Sequence, residues 1–151
     1  GRALRQGEKV CAYVAPHLVP DSSPLAGVED VFNAIALTGN AVGDVMFYGR
    51  GAGKLPTASA VVGDIIDIAR DPKRKRHNMW GPGREDLVVS PENLAVRWYV
   101  RADAAPAGVE LLSRADAPED EKAFLTAAMD EAELNKLVAG LGVRSLFRVL
   151  D

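Results

Sequence analysis

Between Met46 and Ile66 the chain reads Met-Phe-Tyr-Gly-Arg-Gly-Ala-Gly-Lys-Leu-Pro-Thr-Ala-Ser-Ala-Val-Val-Gly-Asp-Ile-Ile. Glycines fall at 49, 51 and 53, and a helical pattern follows them. Bare backbone ahead of a helix N-terminus lets a ligand come close, and the exposed N–H groups there favour oxygen-rich groups. The block is not a P-loop, which needs four residues between its glycines and then Gly-Lys-Ser/Thr. Nor is it the Gly-x-Gly-x-x-Gly of a dinucleotide fingerprint. The same glycines would also serve a tight strand-to-helix turn with no ligand, and the local pattern does not separate the two readings.

Other candidate groups are isolated. Asn33 sits inside an otherwise apolar strand and reads as a buried polar group that needs partners. His17, between Pro16 and Leu18, has no carboxylate close in sequence and reads as structural. Thr57 and Ser59 fall in the first helical turn, where hydroxyls cap. The run Lys73-Arg74-Lys75-Arg76 reads as a solvated linker. Cys11, in an expected strand, reads as a small core hydrophobe. These residues form no complete catalytic set, so none is assigned a catalytic or metal-binding role.

Composition narrows the classes further. The chain has 151 residues, 48% hydrophobic and 26% charged, which is ordinary for a folded domain. Eighteen Lys and Arg against 21 Asp and Glu leave a net charge of −3, with no general pull toward nucleic acid or an anionic membrane. One cysteine excludes an internal disulfide and any multi-thiolate metal site. No apolar run approaches the ~20 residues of a membrane helix. No signal peptide is visible, so a cytoplasmic protein is expected.

These groups need elements to position them. Val10 to Ala15 reads as a strand closed by Pro16 and Pro20. Val31–Thr38 and Ala41–Tyr48 flank Gly39-Asn40, the pattern of a hairpin with a two-residue type II′ turn. Both hairpin faces are apolar, so a second chain is expected to cover one of them. Ala58, Val61, Val62, Ile65 and Ile66 form one stripe of a helix expected from Pro56 to Arg70. Residues 71–93 read as a linker rich in Pro, Gly and basic residues. Beyond it the expected order is β, β, β, α, β: strands at 94–101, 109–113 and 123–129, a helix capped by Asp130 and Glu133, and a strand at 145–150. The expected fold class is α+β.

At this point the residues resemble a known family. Tyr13-Val-Ala-Pro-His-Leu-Val-Pro, Pro24-Leu-Ala-Gly-Val, Val31-Phe-Asn-Ala-Ile and the block from Met46 to Ile66 resemble homoserine dehydrogenase, in unbroken order over about residues 1–70. Such enzymes interconvert aspartate 4-semialdehyde and homoserine with NADP(H) or NAD(H), on the route to threonine, methionine and isoleucine. The resemblance implies that residues 10–48 help to form a dimer sheet. It also implies that the loop at 49–53 returns to the nucleotide domain and meets the nicotinamide end of the coenzyme. The coenzyme-side residues implied are Gly51, Ala52, Gly53 and Thr57.

The departures define the expected limits. The family's Rossmann fingerprint and the segment with its catalytic lysine and aspartate have no counterpart here; Lys9 and Lys54 do not match that lysine's motif. The chain is therefore expected to be a C-terminal piece, a homodimer or higher homo-oligomer, inactive alone. Val96-Arg-Trp-Tyr-Val-Arg, Phe124-Leu-Thr and Phe147-Arg-Val-Leu resemble strands of an ACT domain. The span Ala102–Gly108 is too short for that domain's first helix. The expected organisation is 1–70 as catalytic and dimerisation region, 71–93 as linker, and 94–151 as a reduced ACT-like, ferredoxin-like unit that does not bind threonine. The rival reading is a non-catalytic interaction or amino-acid-sensing module.

Overall fold

A computed structural model describes residues 1–72, 81–113 and 118–150. The basic run at 73–76 and part of the expected linker lie outside the described residues. The chain divides into two compact units: Gly1–Pro20 together with Pro82–Asp151, and Asp21–Gly81. This division differs from the expected spans 1–70, 71–93 and 94–151, because residues 1–20 fold with the C-terminal half.

The first unit opens on a hairpin of β1 (Arg2–Gln6) and β2 (Lys9–Tyr13), with Gln6 opposite Lys9. Gly7 takes φ 62° in the turn, a conformation open to glycine. β1 is not among the strands expected from the sequence, which begin at Val10. β2 carries Cys11, fully buried, as a small hydrophobe would be. Val10 donates to Leu87 O (2.9 Å) and accepts from Val89 N–H (3.0 Å). The end of the expected linker is therefore bonded to β2, and Leu94, just beyond it, is buried in the same core.

A five-stranded sheet follows, in the order β3-β9-β6-β8-β7. Its strands are β3 (His17–Leu18), β6 (Trp98–Ala102), β7 (Glu110–Leu112), β8 (Lys122–Leu125) and β9 (Val143–Val149). Only the β3–β9 pair is parallel. β6 alternates: Trp98, Val100 and Ala102 point into the core, while Tyr99 and Arg101 stay half-buried. Val100, Phe124 and Leu134 are fully buried with Cys11. Each large apolar side chain so enclosed contributes roughly 1.5–3 kcal/mol. Trp98 keeps its ring N–H satisfied by donating to Met129 O at 3.1 Å.

The C-terminal helix α2 (Glu131–Leu137) starts as expected. Asp130 accepts from Glu133 N–H at 2.8 Å, and the Glu133 carboxylate accepts from Asp130 N–H at 3.2 Å. Gly140 and Gly142, at φ 78° and 65°, turn the chain into β9. The observed order β6, β7, β8, α2, β9 is the expected β, β, β, α, β.

The second unit holds β4 (Phe32–Gly39), β5 (Gly43–Arg50) and α1 (Lys54–Arg70). The hairpin is present, but the two-residue Gly-Asn turn is not. Gly39 pairs with Gly43, leaving Asn40, Ala41 and Val42 as the loop. Gly43, the first residue after the loop, takes φ 73°, a left-handed conformation open to glycine. α1 begins at Lys54, two residues before the expected Pro56. None of its residues is buried, so the apolar stripe expected to pack finds no cover among the described residues. The stripe residues Val61, Val62, Ile65 and Ile66 are all exposed, as are Ile35, Leu37, Phe47 and Tyr48 on the hairpin.

Candidate functional site: the glycine loop between β5 and α1

β5 ends at Arg50 and α1 begins at Lys54, so Gly51, Ala52 and Gly53 form the whole connection. Gly51 N–H donates to Val31 O at 3.3 Å, which extends the hairpin pairing by one bond. Gly53 is the N-cap, at φ 117° and ψ 150°, with no side chain to cap the helix. The first intrahelical bond runs from Thr57 N–H to Gly53 O (3.2 Å). The N–H groups of Lys54 and Leu55 therefore lack intrahelical partners, and Pro56 has none to offer. Gly51, Ala52, Gly53 and Thr57 are all exposed, so the residues implied as coenzyme contacts lie together on an open loop and first turn.

Asn33 is not the buried group the sequence suggested; it is exposed. Strand β4 presents it on the face that also carries Gly49 and Gly51. Its amide donates to Val31 O, the acceptor that Gly51 also uses, at 3.5 Å. A Cβ at Gly51 would collide with Asn33 Nδ2 and lie 2.8 Å from its Cγ. The opposite face carries a stack that sequence reasoning did not find. Phe32 and Tyr48 lie parallel, 4.9 Å apart, and the Arg50 guanidinium stands 4.8 Å over the Phe32 ring. Their signal was the register: Phe32 opposite Arg50 and Ala34 opposite Tyr48 put all three on one face.

His17 is structural. Its Nδ1 meets Ala15 O at 2.9 Å and its Nε2 meets Tyr13 Oη at 3.0 Å. The carbonyl can only accept, which assigns the proton to Nδ1 and leaves Nε2 to accept from the tyrosine. The first unit also holds a charged cluster absent from the sequence reading. Arg144 Nε donates to Asp103 at 2.7 Å, and its Nη2 donates to Asp120 at 2.8 Å. Glu121 accepts two bonds from Arg101, at 2.5 and 2.8 Å, and one from Arg144 at 3.4 Å. Arg144 holds the Asp120 carboxyl below its usual range, and Arg101 does the same for Glu121. The two guanidiniums are raised in turn by these carboxylates. Among the described residues no group of His, Cys, Asp and Glu is placed to hold a metal ion. No described helix is long and apolar enough to cross a membrane.

The fold of the whole chain has solved counterparts. A homoserine dehydrogenase structure from Thiobacillus denitrificans superposes with a TM-score of 0.75 at 24% identity, over 99% of this chain and 41% of that one. Residues 1–66 match the family model described as homoserine dehydrogenase. The homoserine dehydrogenase of Neisseria gonorrhoeae is 50% identical over 111 residues, 69% of this chain and 26% of that protein. That of Mycobacterium bovis is 53% identical over 99 residues, 65% of this chain and 22% of its own. The class is thus an α+β segment with the fold of part of a solved homoserine dehydrogenase. The similarity to homoserine dehydrogenases takes in residues 1–66, the stretch that carries the glycine loop. It spans about a quarter of the length of the curated relatives it matches.

Proposed function

We propose that this chain supplies the hairpin and coenzyme-loop portion of a homoserine dehydrogenase. That enzyme interconverts L-aspartate 4-semialdehyde and L-homoserine with NADP(H) or NAD(H), in the biosynthesis of threonine, methionine and isoleucine. The observation that carries the reading is the family match over residues 1–66, which takes in the whole loop and most of α1.

The residues present fit only one end of the coenzyme. An exposed loop of three small residues and two unpaired helix N–H groups suit the approach of a flat amide-bearing ring. Nothing among the described residues resembles a cradle for the diphosphate or a reader of the ribose, so NADP and NAD are left equal. When bound, the nicotinamide supplies hydride to the aldehyde carbon. Gly51, Ala52, Gly53 and the first turn at Thr57 hold that ring's surroundings open and oriented. Lys54, which opens α1 beside the loop, does not match the motif of the family's catalytic lysine, and on this reading the chain by itself turns over no substrate.

The exposed apolar residues of β4, β5 and α1 support a homodimer or larger homo-oligomer; the compartment we propose for it is the cytoplasm. The strand order β9-β6-β8-β7 supports a reduced ACT-like unit lacking its first crossover helix. With seven residues from Asp103 to Val109 in place of that helix, it is not a threonine site.

The test is a chimera. This chain replaces the matching stretch of the Neisseria gonorrhoeae enzyme, and NADPH or NADH oxidation is followed with aspartate 4-semialdehyde. Activity within about tenfold of the parent is expected, a loss of no more than ~1.4 kcal/mol in transition-state stabilisation. A folded, dimeric but inactive chimera would refute the reading.

A further inference from the structure

Asn33 and Gly51 explain one another. An asparagine inside an apolar strand has no evident use, and a glycine at 51 with negative φ has no backbone need to be glycine. The contact between them supplies both reasons. The Asn33 side chain occupies the space where a Cβ of residue 51 would stand, with its own Cβ 3.4 Å and its Cγ 2.8 Å from that point. Both residues also share Val31 O, through the backbone N–H of Gly51 and the amide of Asn33. The loop is exposed, so no core packing holds it; α1 contributes no buried residue to fix it from the other end.

We propose that Asn33 is the positioning residue of the glycine loop: its side chain fills the space beside Gly51 and fixes the path of residues 51–53 toward the coenzyme. Gly51 is then glycine to admit Asn33, not to admit the ligand. The ligand's approach falls to Ala52, Gly53 and the first turn of α1. This inference rests on the coenzyme reading of the loop given above.

A mutant cycle in the chimera tests it, with kcat and the KM for NADPH and NADH measured separately. Asn33→Ala leaves the loop unsupported and raises the coenzyme KM about tenfold, while kcat changes less than threefold. Asn33→Ser, which keeps a small hydrogen-bonding group, falls between. Gly51→Ala displaces the Asn33 side chain and lowers kcat/KM by more than tenfold. The double variant Asn33→Ala/Gly51→Ala returns to the level of Asn33→Ala alone, because the collision is gone. Melting curves of every variant show that each is folded at the assay temperature. A double variant as impaired as the product of the two singles would overturn the inference, since Gly51 would then be needed for something other than Asn33. So would a coenzyme KM unmoved in Asn33→Ala. Either result leaves the function standing, whereas an inactive unmutated chimera removes the function itself.

Discussion

Arg148 on β9 ties the N-terminal segment to the sheet, and its replacement separates two opposing effects. Its guanidinium lies 5.0 Å from the Tyr13 ring and 4.7 Å from the Trp98 ring, so one cation bridges β2 and β6. Its side chain is 12% exposed. Two partly desolvated cation–π contacts are worth about 1–2 kcal/mol each. The pairing with Glu131 at 3.7 Å adds roughly 0–1 kcal/mol. Against these, Nε is buried without a partner, a cost of about 1–3 kcal/mol that any apolar replacement recovers. Arg148→Met keeps the stem and loses the charge, so the net loss is about 1–2 kcal/mol. Arg148→Ala also gives up the stem's burial, at about 0.8 kcal/mol per methylene, and loses about 3–4 kcal/mol. Urea unfolding followed by Trp fluorescence measures both. Hydrogen exchange at Leu150 N–H, which donates to Leu18 O at 2.9 Å, reports whether β3 has come loose. A methionine variant at least as stable as the parent would refute the reasoning, because the orphaned Nε would then outweigh both rings.

Two further outcomes follow from the charges and the surface. Asp120 and Glu121 titrate below their ordinary values of 3.8 and 4.5 when folded, so the unfolded chain takes up protons first as pH falls. Their contribution is complete above about pH 5 and is lost as pH drops through the lowered folded values. Arg144→Gln removes Asp120's share of that acid limb in pH-dependent melts, while Arg101 keeps Glu121's, and an unchanged limb would contradict the assignment. Light scattering at tens of micromolar is expected to show a dimer or larger species, burying the exposed Ile35 and Phe47; a 16.1 kDa monomer alone would count against it.

How far the sequence reached depends on how local each signal was. The β4–β5 hairpin, the α1 stripe and the Asp130–Glu133 capping box are written in neighbouring residues and could be read directly. The hairpin loop was misplaced because Gly39-Asn40 mimics a two-residue turn, while the residue in the left-handed conformation is Gly43. β1 was missed because Arg2–Gln6 has little apolar alternation; only its pairing with β2 makes it a strand. The β3–β9 pair and the bonding of Val10 to Leu87 and Val89 join residues more than 75 apart, and no local pattern announces them. Of the site, the glycines and Thr57 were legible. The contact of Asn33 with Gly51 was not, since it depends on the register of β4 against β5. The lack of cover for the α1 stripe among the described residues was hidden for a related reason: a stripe shows which face seeks cover, not whether this chain provides it.

The central claim is that this chain works as part of a larger dehydrogenase. The most direct measurement is the mass of the native protein in its source cells, by immunoblot with an antibody raised to these 151 residues. A nucleotide-binding domain adds roughly 150 residues, so a band at least about twice the chain's mass is expected. A single band at 16 kDa would contradict the account and leave a protein with the family's loop but without its chemistry.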